Sequence, residues 1–366
     1  MDTFAFIIHP IDPKRDVSRK FPLLGRMLTE KQIDFFSTFF PPVYISEIEG
    51  IRSEATGKEI KGWFIACPYT PRRMMELPEQ TVYSKVIQTG RLAEKLGAQI
   101  LGLGAFTSVV GDAGITIANA LDVPVTTGDS YTVTVAVDAL REAARVMEIP
   151  FQGTTAAVVG ATGAIGQVCA ELLADDVERL YLIGRRQEAL EELQDRLKAR
   201  ARAELIVSTT MEVLADAQLI LTVTSSIHDV IRPEHLQPGS VVCDVARPRD
   251  VSAMVAAARD DILVIDGGMV DVPGPVNFHF NFGFPPGKAY ACMAETFALA
   301  LEGRFEDYTL GKHLTRERVE EIDSIAKKHG FRLSGFRSFE REVTEVQIET
   351  VRRNARNARK LHVVHT

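Results

Sequence analysis

With 366 residues the chain has the length for two or three domains. At 46% hydrophobic and 25% charged it can bury a large core. A net charge of −7 argues against nucleic acid as a main partner, since such proteins present a basic face. No stretch reaches the roughly 18 apolar residues that mark a transmembrane helix, so the chain is expected not to span a membrane.

The four cysteines, Cys67, Cys169, Cys243 and Cys292, form no CxxC pair and no metal-like spacing with histidine. Neither a disulfide framework nor a metal site is therefore expected. Free thiols suit a reducing, cytoplasmic setting. The start, MDTFAFIIHPIDPKRD, has too short an apolar run for a signal peptide and no basic beginning.

The predicted architecture is α/β. Residues 1–150 form an N-terminal α/β substrate domain, 151–285 a Rossmann domain with a parallel sheet, and 286–366 C-terminal helices. FAFIIHP reads as the first strand, and PVYISEIEG and EIKGWFIACP as a strand pair around the turn TGKE. VYSKVIQTGRLAEKLGA reads as a helix and QILGLGAFTSVVG as an apolar strand. In SYTVTVAVDALREAARVMEI, Val133, Ala136, Leu140, Ala143 and Met147 recur at three and four residues, one helical face.

Short strands and helices then alternate: TTAAVVG, AIGQVCAELLAD, RLYLIG, RRQEALEELQDRLKARA, ELIVS, AQLILTVTSS, SVVCDVA and ILVIDGG. That rhythm indicates a parallel sheet with helices on its faces. From 286 onward the pattern is helical. An apolar helix holds Cys292, a second is capped by Thr315 and stopped by Gly330, and a charged third starts near Glu340. Arg352, Arg353, Arg356, Arg359 and Lys360 make that third helix basic at its end. Cations there suit the helix dipole, and phosphates of a carrier or cofactor are an alternative target.

The loop Gly160-Ala161-Thr162-Gly163-Ala164-Ile165-Gly166 lies where a strand turns into a helix. Glycines allow the sharp turn and the close approach of phosphate oxygens to the helix N-terminus. A strand before, a helix after and a second strand beyond supply the context of a dinucleotide site. The second strand ends in Arg185-Arg186, where an NAD-selective site carries an acidic residue. Two guanidinium groups suit a 2′-phosphate, so NADPH is the expected cofactor. Capping of the next helix is the structural alternative for those arginines. Thr224 and Ser225 close another strand on the same edge and are candidates for the nicotinamide side.

The thiol Cys292 follows Pro285-Pro286-Gly287, which favours a helix start and puts it in the first or second turn. The dipole there is expected to lower its pKa, with Lys288 adding to the effect. Glu295, one turn on, opposes that effect and is a candidate to move protons. The hydroxyls of Thr107, Ser108, Thr127, Ser130 and Thr132 are candidate substrate-oxygen donors, although turn or cap roles suit each of them. His279 is the histidine nearest the thiol in sequence. FSTFFPP, IACPYTPRRMM and NFHFNFGF offer apolar and aromatic material for an acyl channel, or for core, and Arg72 and Arg73 offer cations for an acidic carrier.

GLGAFTSVVG, TTGDSYTV, VVGATGAIG and AYACMAETFALALEG, in this order, resemble the cyanobacterial-type long-chain acyl-acyl carrier protein reductases. The similarity runs from about Ile45 to Arg332. CDVARPRDV and the surrounding Rossmann portion are also similar to glutamyl-tRNA reductases and shikimate dehydrogenases. The resemblance implies that Cys292 takes the acyl group from acyl carrier protein or coenzyme A as a thioester, and that NADPH reduces it to a fatty aldehyde. It also implies an aldehyde-consuming enzyme downstream. Two alternatives are a shikimate-dehydrogenase-like reductase of a small carbonyl compound and a protein that binds NADPH without turnover.

Overall fold

Phe4, Ala5, Phe6 and Ile7 are all fully buried, as expected of a strand covered on both faces. Strand β1 (Asp2–Ile8) is the centre of a five-stranded sheet with β2 (Val43–Arg52), β3 (Glu59–Ala66), β4 (Leu101–Leu103) and β5 (Val125–Thr126), in the order β2-β3-β1-β4-β5. β3, β1, β4 and β5 run parallel, and β2 pairs antiparallel with β3. The computed structural model describes residues 1–226, 228–339 and 341–364.

Alternation along β1 assigns the two faces. Ala5 and Ile7 join a core with Val82 and Val86 of helix Glu79–Leu96, which stops at Gly97 in the left-handed conformation. Phe4 points the other way, its ring 4.8 Å from that of Phe297 on helix Ala291–Glu302. Residues 291 and 293–301 of that second helix are all buried. A helix apolar on all sides is stable only inside a core, and the sheet provides one.

The sheet, its two helices and helix Arg316–His329 belong to one compact unit, residues 1–132 and 270–332. The other unit comprises 133–269 and 333–366. The units are thus not three consecutive segments. The thiol helix belongs with the N-terminal sheet, and the last helix, Glu345–Val364, with the dinucleotide-binding sheet. The expected start of that last helix, Glu340, lies outside the described residues. Its Arg352 and Arg356 both reach Glu148, and Arg359 Nε donates to the Pro238 carbonyl at 3.0 Å.

The second unit carries six parallel strands: β6 (Thr155–Val159), β7 (Arg179–Ile183), β8 (Glu204–Ser208), β9 (Leu219–Thr222), β10 (Val241–Asp244) and β11 (Leu263–Asp266). Their order is β11-β10-β9-β6-β7-β8. Counted from β6 this is the 3-2-1-4-5-6 order of a doubly wound dinucleotide fold, with its crevice where β6 meets β9.

Two sequence expectations change. GAFTSVVG does not continue the strand after Leu103. Ala105 turns with φ 49, Thr107 Oγ1 bonds back to Gly104, and a one-turn helix, Phe106–Val109, follows. Pro285-Pro286-Gly287 leads into a short strand, Lys288–Tyr290, before the thiol helix starts at Ala291. The segment before β2 folds into three short helices, Pro13–Lys20, Pro22–Met27 and Glu30–Ser37. Each is eight residues or fewer, too short to show a periodic face.

Candidate active site

Cys292 is the second residue of its helix, with Tyr290 at the N-cap. It is partly exposed, whereas the other three cysteines are buried. The loop that follows β5 lies directly against it. A Cβ on Gly128 would sit 2.4 Å from Cys292 Cα and 2.5 Å from its Cβ, and Gly128 has φ +80. Only glycine satisfies both conditions, so the backbone of Gly128 is fixed against the thiol.

Glu295 explains how that loop is held. It is wholly buried and accepts hydrogen bonds from Thr126 Oγ1 at 2.5 Å, Thr309 Oγ1 at 2.7 Å and the Tyr131 N–H at 2.8 Å. Those partners lie on both sides of Gly128-Asp129, so the carboxylate staples the loop to the thiol helix. Burial raises its pKa, opposed by these bonds. Both of its oxygens are occupied by these bonds.

Asp129 faces the same site and was not singled out in the sequence. Burial, and then the charge of Glu295, push its pKa up from 3.8 to about 7. The thiol is affected in turn. Burial, followed by the charge of Asp129, pushes Cys292 up to about 12, against the smaller opposing effect of the Met293 N–H. The expected lowering by the helix start is therefore outweighed. Lys288 does not restore it, because its Nζ is paired with Asp271 at 2.6 Å. The charge of Asp129 therefore acts directly on the Cys292 thiol.

Of the candidate donors, Thr127 lies between β5 and helix Asp129–Val146, Ser130 and Thr132 lie in the first turn of that helix, and Thr107 and Ser108 lie in the turn after β4. Thr132 Oγ1 donates to the Gly128 carbonyl at 2.9 Å, and Ser130 Oγ lies 2.8 Å from Thr309 Oγ1. Thr107 and Ser108 donate to Gly104 and Ala105 carbonyls at 2.8 and 2.7 Å, the turn roles weighed above. His279 is exposed and bonds Glu49 at 3.3 Å. His9, at the end of β1, is buried, and burial lowers its pKa to about 4. Neutral, its Nε2 accepts the Phe106 N–H at 3.0 Å. Arg72 and Arg73 are paired with Glu76.

In the other unit the glycine loop joins β6 to helix Ala164–Leu173. Gly160 has φ +85, and a Cβ on Gly166 would lie 2.2 Å from the Gly160 carbonyl oxygen. Gly163 is the helix N-cap and offers no side-chain cap bond, which leaves the first N–H groups for a phosphate. A Cβ on Gly160 would also meet the Val223 carbonyl at 2.7 Å, so the end of β9 adjoins the loop. These residues fit a dinucleotide.

Arg185 and Arg186 are exposed just after β7, and among the described residues neither has an ion-pair partner. Arg186 occupies the N-cap position of Gln187–Lys198 without a side-chain cap bond. Thr224 is less available, since its N–H and hydroxyl both bond Asp250, while Ser225 is exposed.

Residues 141–266 match the shikimate/quinate 5-dehydrogenase family. The NAD-dependent malic enzyme of Thermotoga maritima is 16% identical, with a TM-score of 0.41 over 98% of this chain and 83% of that one. The aminotransferase PigE of a Serratia species is 31% identical over 96% of this chain, which spans only 42% of that protein. The long-chain acyl-[acyl-carrier-protein] reductase of Synechococcus elongatus is 30% identical, over 90% of this chain and 98% of that one. The shikimate/quinate 5-dehydrogenase match and the Synechococcus relative mark a nicotinamide-dependent oxidoreductase. With its likeness to the Synechococcus enzyme running nearly end to end, the chain belongs to the long-chain acyl-[acyl-carrier-protein] reductase family.

Proposed function

We propose that the protein reduces a fatty acyl thioester, carried by acyl carrier protein or coenzyme A, to the free aldehyde with NADPH. Cys292 carries the acyl group between the two half-reactions. The observation that supports this most is the seating of Gly128 on Cys292, which brings the residue before Asp129 against the one partly exposed thiol.

In the first half-reaction Asp129 takes the thiol proton as Cys292 Sγ bonds to the acyl carbon. The thioester π electrons move to oxygen, and their return expels the carrier thiolate. The proton held by Asp129 passes to that leaving sulfur, so the carrier departs as a thiol and Asp129 is ionised again. The exchange trades one thioester for another at little cost in free energy. NADPH, when bound, supplies the hydride that reduces the acyl carbon. Collapse of the resulting hemithioacetal anion releases the aldehyde and returns Cys292 as a thiolate, which takes a proton from solvent.

Arg185 and Arg186, without ion-pair partners beside the phosphate loop, favour NADPH over NADH. With both replaced by alanine, NADPH binding should weaken about 10- to 100-fold and NADH binding change little, read by fluorescence titration. Equal weakening for both dinucleotides would remove the arginines from cofactor choice. The fate of the aldehyde is a further part of the proposal: it passes to an aldehyde-consuming enzyme.

A further inference from the structure

The three helices before β2 invert the usual partition of side chains. They turn Pro13, Gly25, Ile33 and Ser37 inward. Outward they present Phe21, Leu23, Leu24, Met27, Phe35, Phe36, Phe39 and Phe40, each at least 37% exposed, with Met27 at 78% and Leu23 at 73%. Aromatic contacts tie three of these together: the Phe35 ring lies 5.4 Å from Phe36 and 5.6 Å from Phe39. Single exposed apolar residues are ordinary, but eight on twenty consecutive residues mark an interaction surface.

The charge on the same stretch is equally uneven. Over residues 13–40 there are six cations, Lys14, Arg15, Arg19, Lys20, Arg26 and Lys31, against three carboxylates, Asp16, Glu30 and Asp34. The local net charge of +3 stands in a chain of −7. Arg19 is paired with Asp16, and Lys20 Nζ donates to the Ile45 carbonyl. Lys14, Arg26 and Lys31 are exposed and, among the described residues, have no ion-pair partner.

We propose that this helical segment docks on the surface of an anionic lipid bilayer, with the phenylalanine, leucine and methionine side chains entering the acyl boundary and Lys14, Arg26 and Lys31 meeting the headgroups. Phe, Leu and Met supply the apolar insertion, and each cation near an anionic surface adds electrostatic attraction. A protein partner needs matching shape as well as matching charge. A lipid surface needs only exposed apolar side chains flanked by cations, and the segment presents both. The docking does not depend on the proposed reaction, although a surface that holds fatty chains would suit that substrate class.

The test is co-sedimentation of the full chain with vesicles of phosphatidylcholine alone and of phosphatidylcholine mixed with phosphatidylglycerol. The chain should sediment with the mixed vesicles at least about tenfold more tightly than with the neutral ones, and added salt should weaken binding. Arg26→Glu with Lys31→Glu should lower binding to mixed vesicles about tenfold or more. Phe35→Ser with Phe36→Ser and Phe39→Ser should abolish it. Melting temperature and NADPH binding should stay unchanged in both variants, which separates loss of docking from loss of folding. No binding to either vesicle would overturn the proposal. So would equal binding by wild type and the phenylalanine variant, or self-association or carrier-protein binding through this face without vesicle binding.

Discussion

At the scale of single residues the site depends on contacts that a change of one or two atoms would upset. Gly128→Ala would drive a methyl group into Cys292 and impose a left-handed φ on a residue with a side chain. Overpacking of this kind costs about 1–3 kcal/mol and the backbone about 1–2 kcal/mol more. The variant should lose thermal stability and reductase activity together.

Asp129→Asn separates the two. Its raised pKa means that the folded chain holds a proton the unfolded chain has already lost between pH ~4 and ~7, so wild-type stability from this group falls as pH rises through that window. Asn removes the penalty. The stability of the variant relative to wild type should therefore climb between pH 4 and 7 and then level off. Acylation should show the opposite dependence. In wild type its rate rises with pH through about 7 as Asp129 ionises, and in the Asn variant that rise should vanish with a loss of about 100-fold or more. Stopped-flow acylation over a pH series, beside thermal melts in the same buffers, reads both. A rise through pH 7 that survives in the variant would assign it to another group.

At the scale of elements, the thiol helix and the β5 loop are joined through Glu295. Glu295→Ala would strand the Thr126 hydroxyl and the Tyr131 N–H in a buried place and leave Thr309 only Ser130, at about 2 kcal/mol or more. Glu295→Gln keeps acceptor capacity and should fold and retain most activity, as expected of a positioning group. A loss as deep as that of Cys292→Ala would instead return Glu295 to the proton-moving role its place in sequence suggested.

In the other unit Gly166→Ala would press on the Gly160 carbonyl from 2.2 Å and should weaken dinucleotide binding along with stability. Much of this was legible beforehand. The glycine loop carries its own turn chemistry, and Thr315 and Gly330 do cap their helix, with Gly330 at φ +100. Local signals of this kind survive folding because neighbours in sequence create them. Asp129 carried no such signal. Its environment comes from Glu295, 166 positions along the chain, and TTGDSYT shows nothing of that burial. The expected thiol activation failed for the same reason. A helix dipole can be inferred from sequence, but the burial and opposing carboxylate that outweigh it cannot.

At the scale of the whole molecule, the α/β class and the parallel nucleotide-binding sheet follow from alternating short apolar runs, but the grouping of elements does not. The thiol helix is distant in sequence from the sheet that buries it, and the last helix belongs with the dinucleotide-binding sheet rather than with the helices before it. Long-range partnership of this kind is set by which faces remain apolar after local structure forms. The segment 13–40 marks the converse, since eight of its large apolar residues stay exposed.

The central claim is that Cys292 carries the acyl group. Incubation with a long-chain acyl thioester in the absence of NADPH, followed by intact-mass analysis and peptide mapping, tests it directly. The wild-type chain should gain the mass of one acyl group minus one hydrogen, mapped to Cys292 and discharged as aldehyde when NADPH is added. Cys292→Ala should gain nothing and make no aldehyde. An adduct or aldehyde formed by the alanine variant would contradict the account.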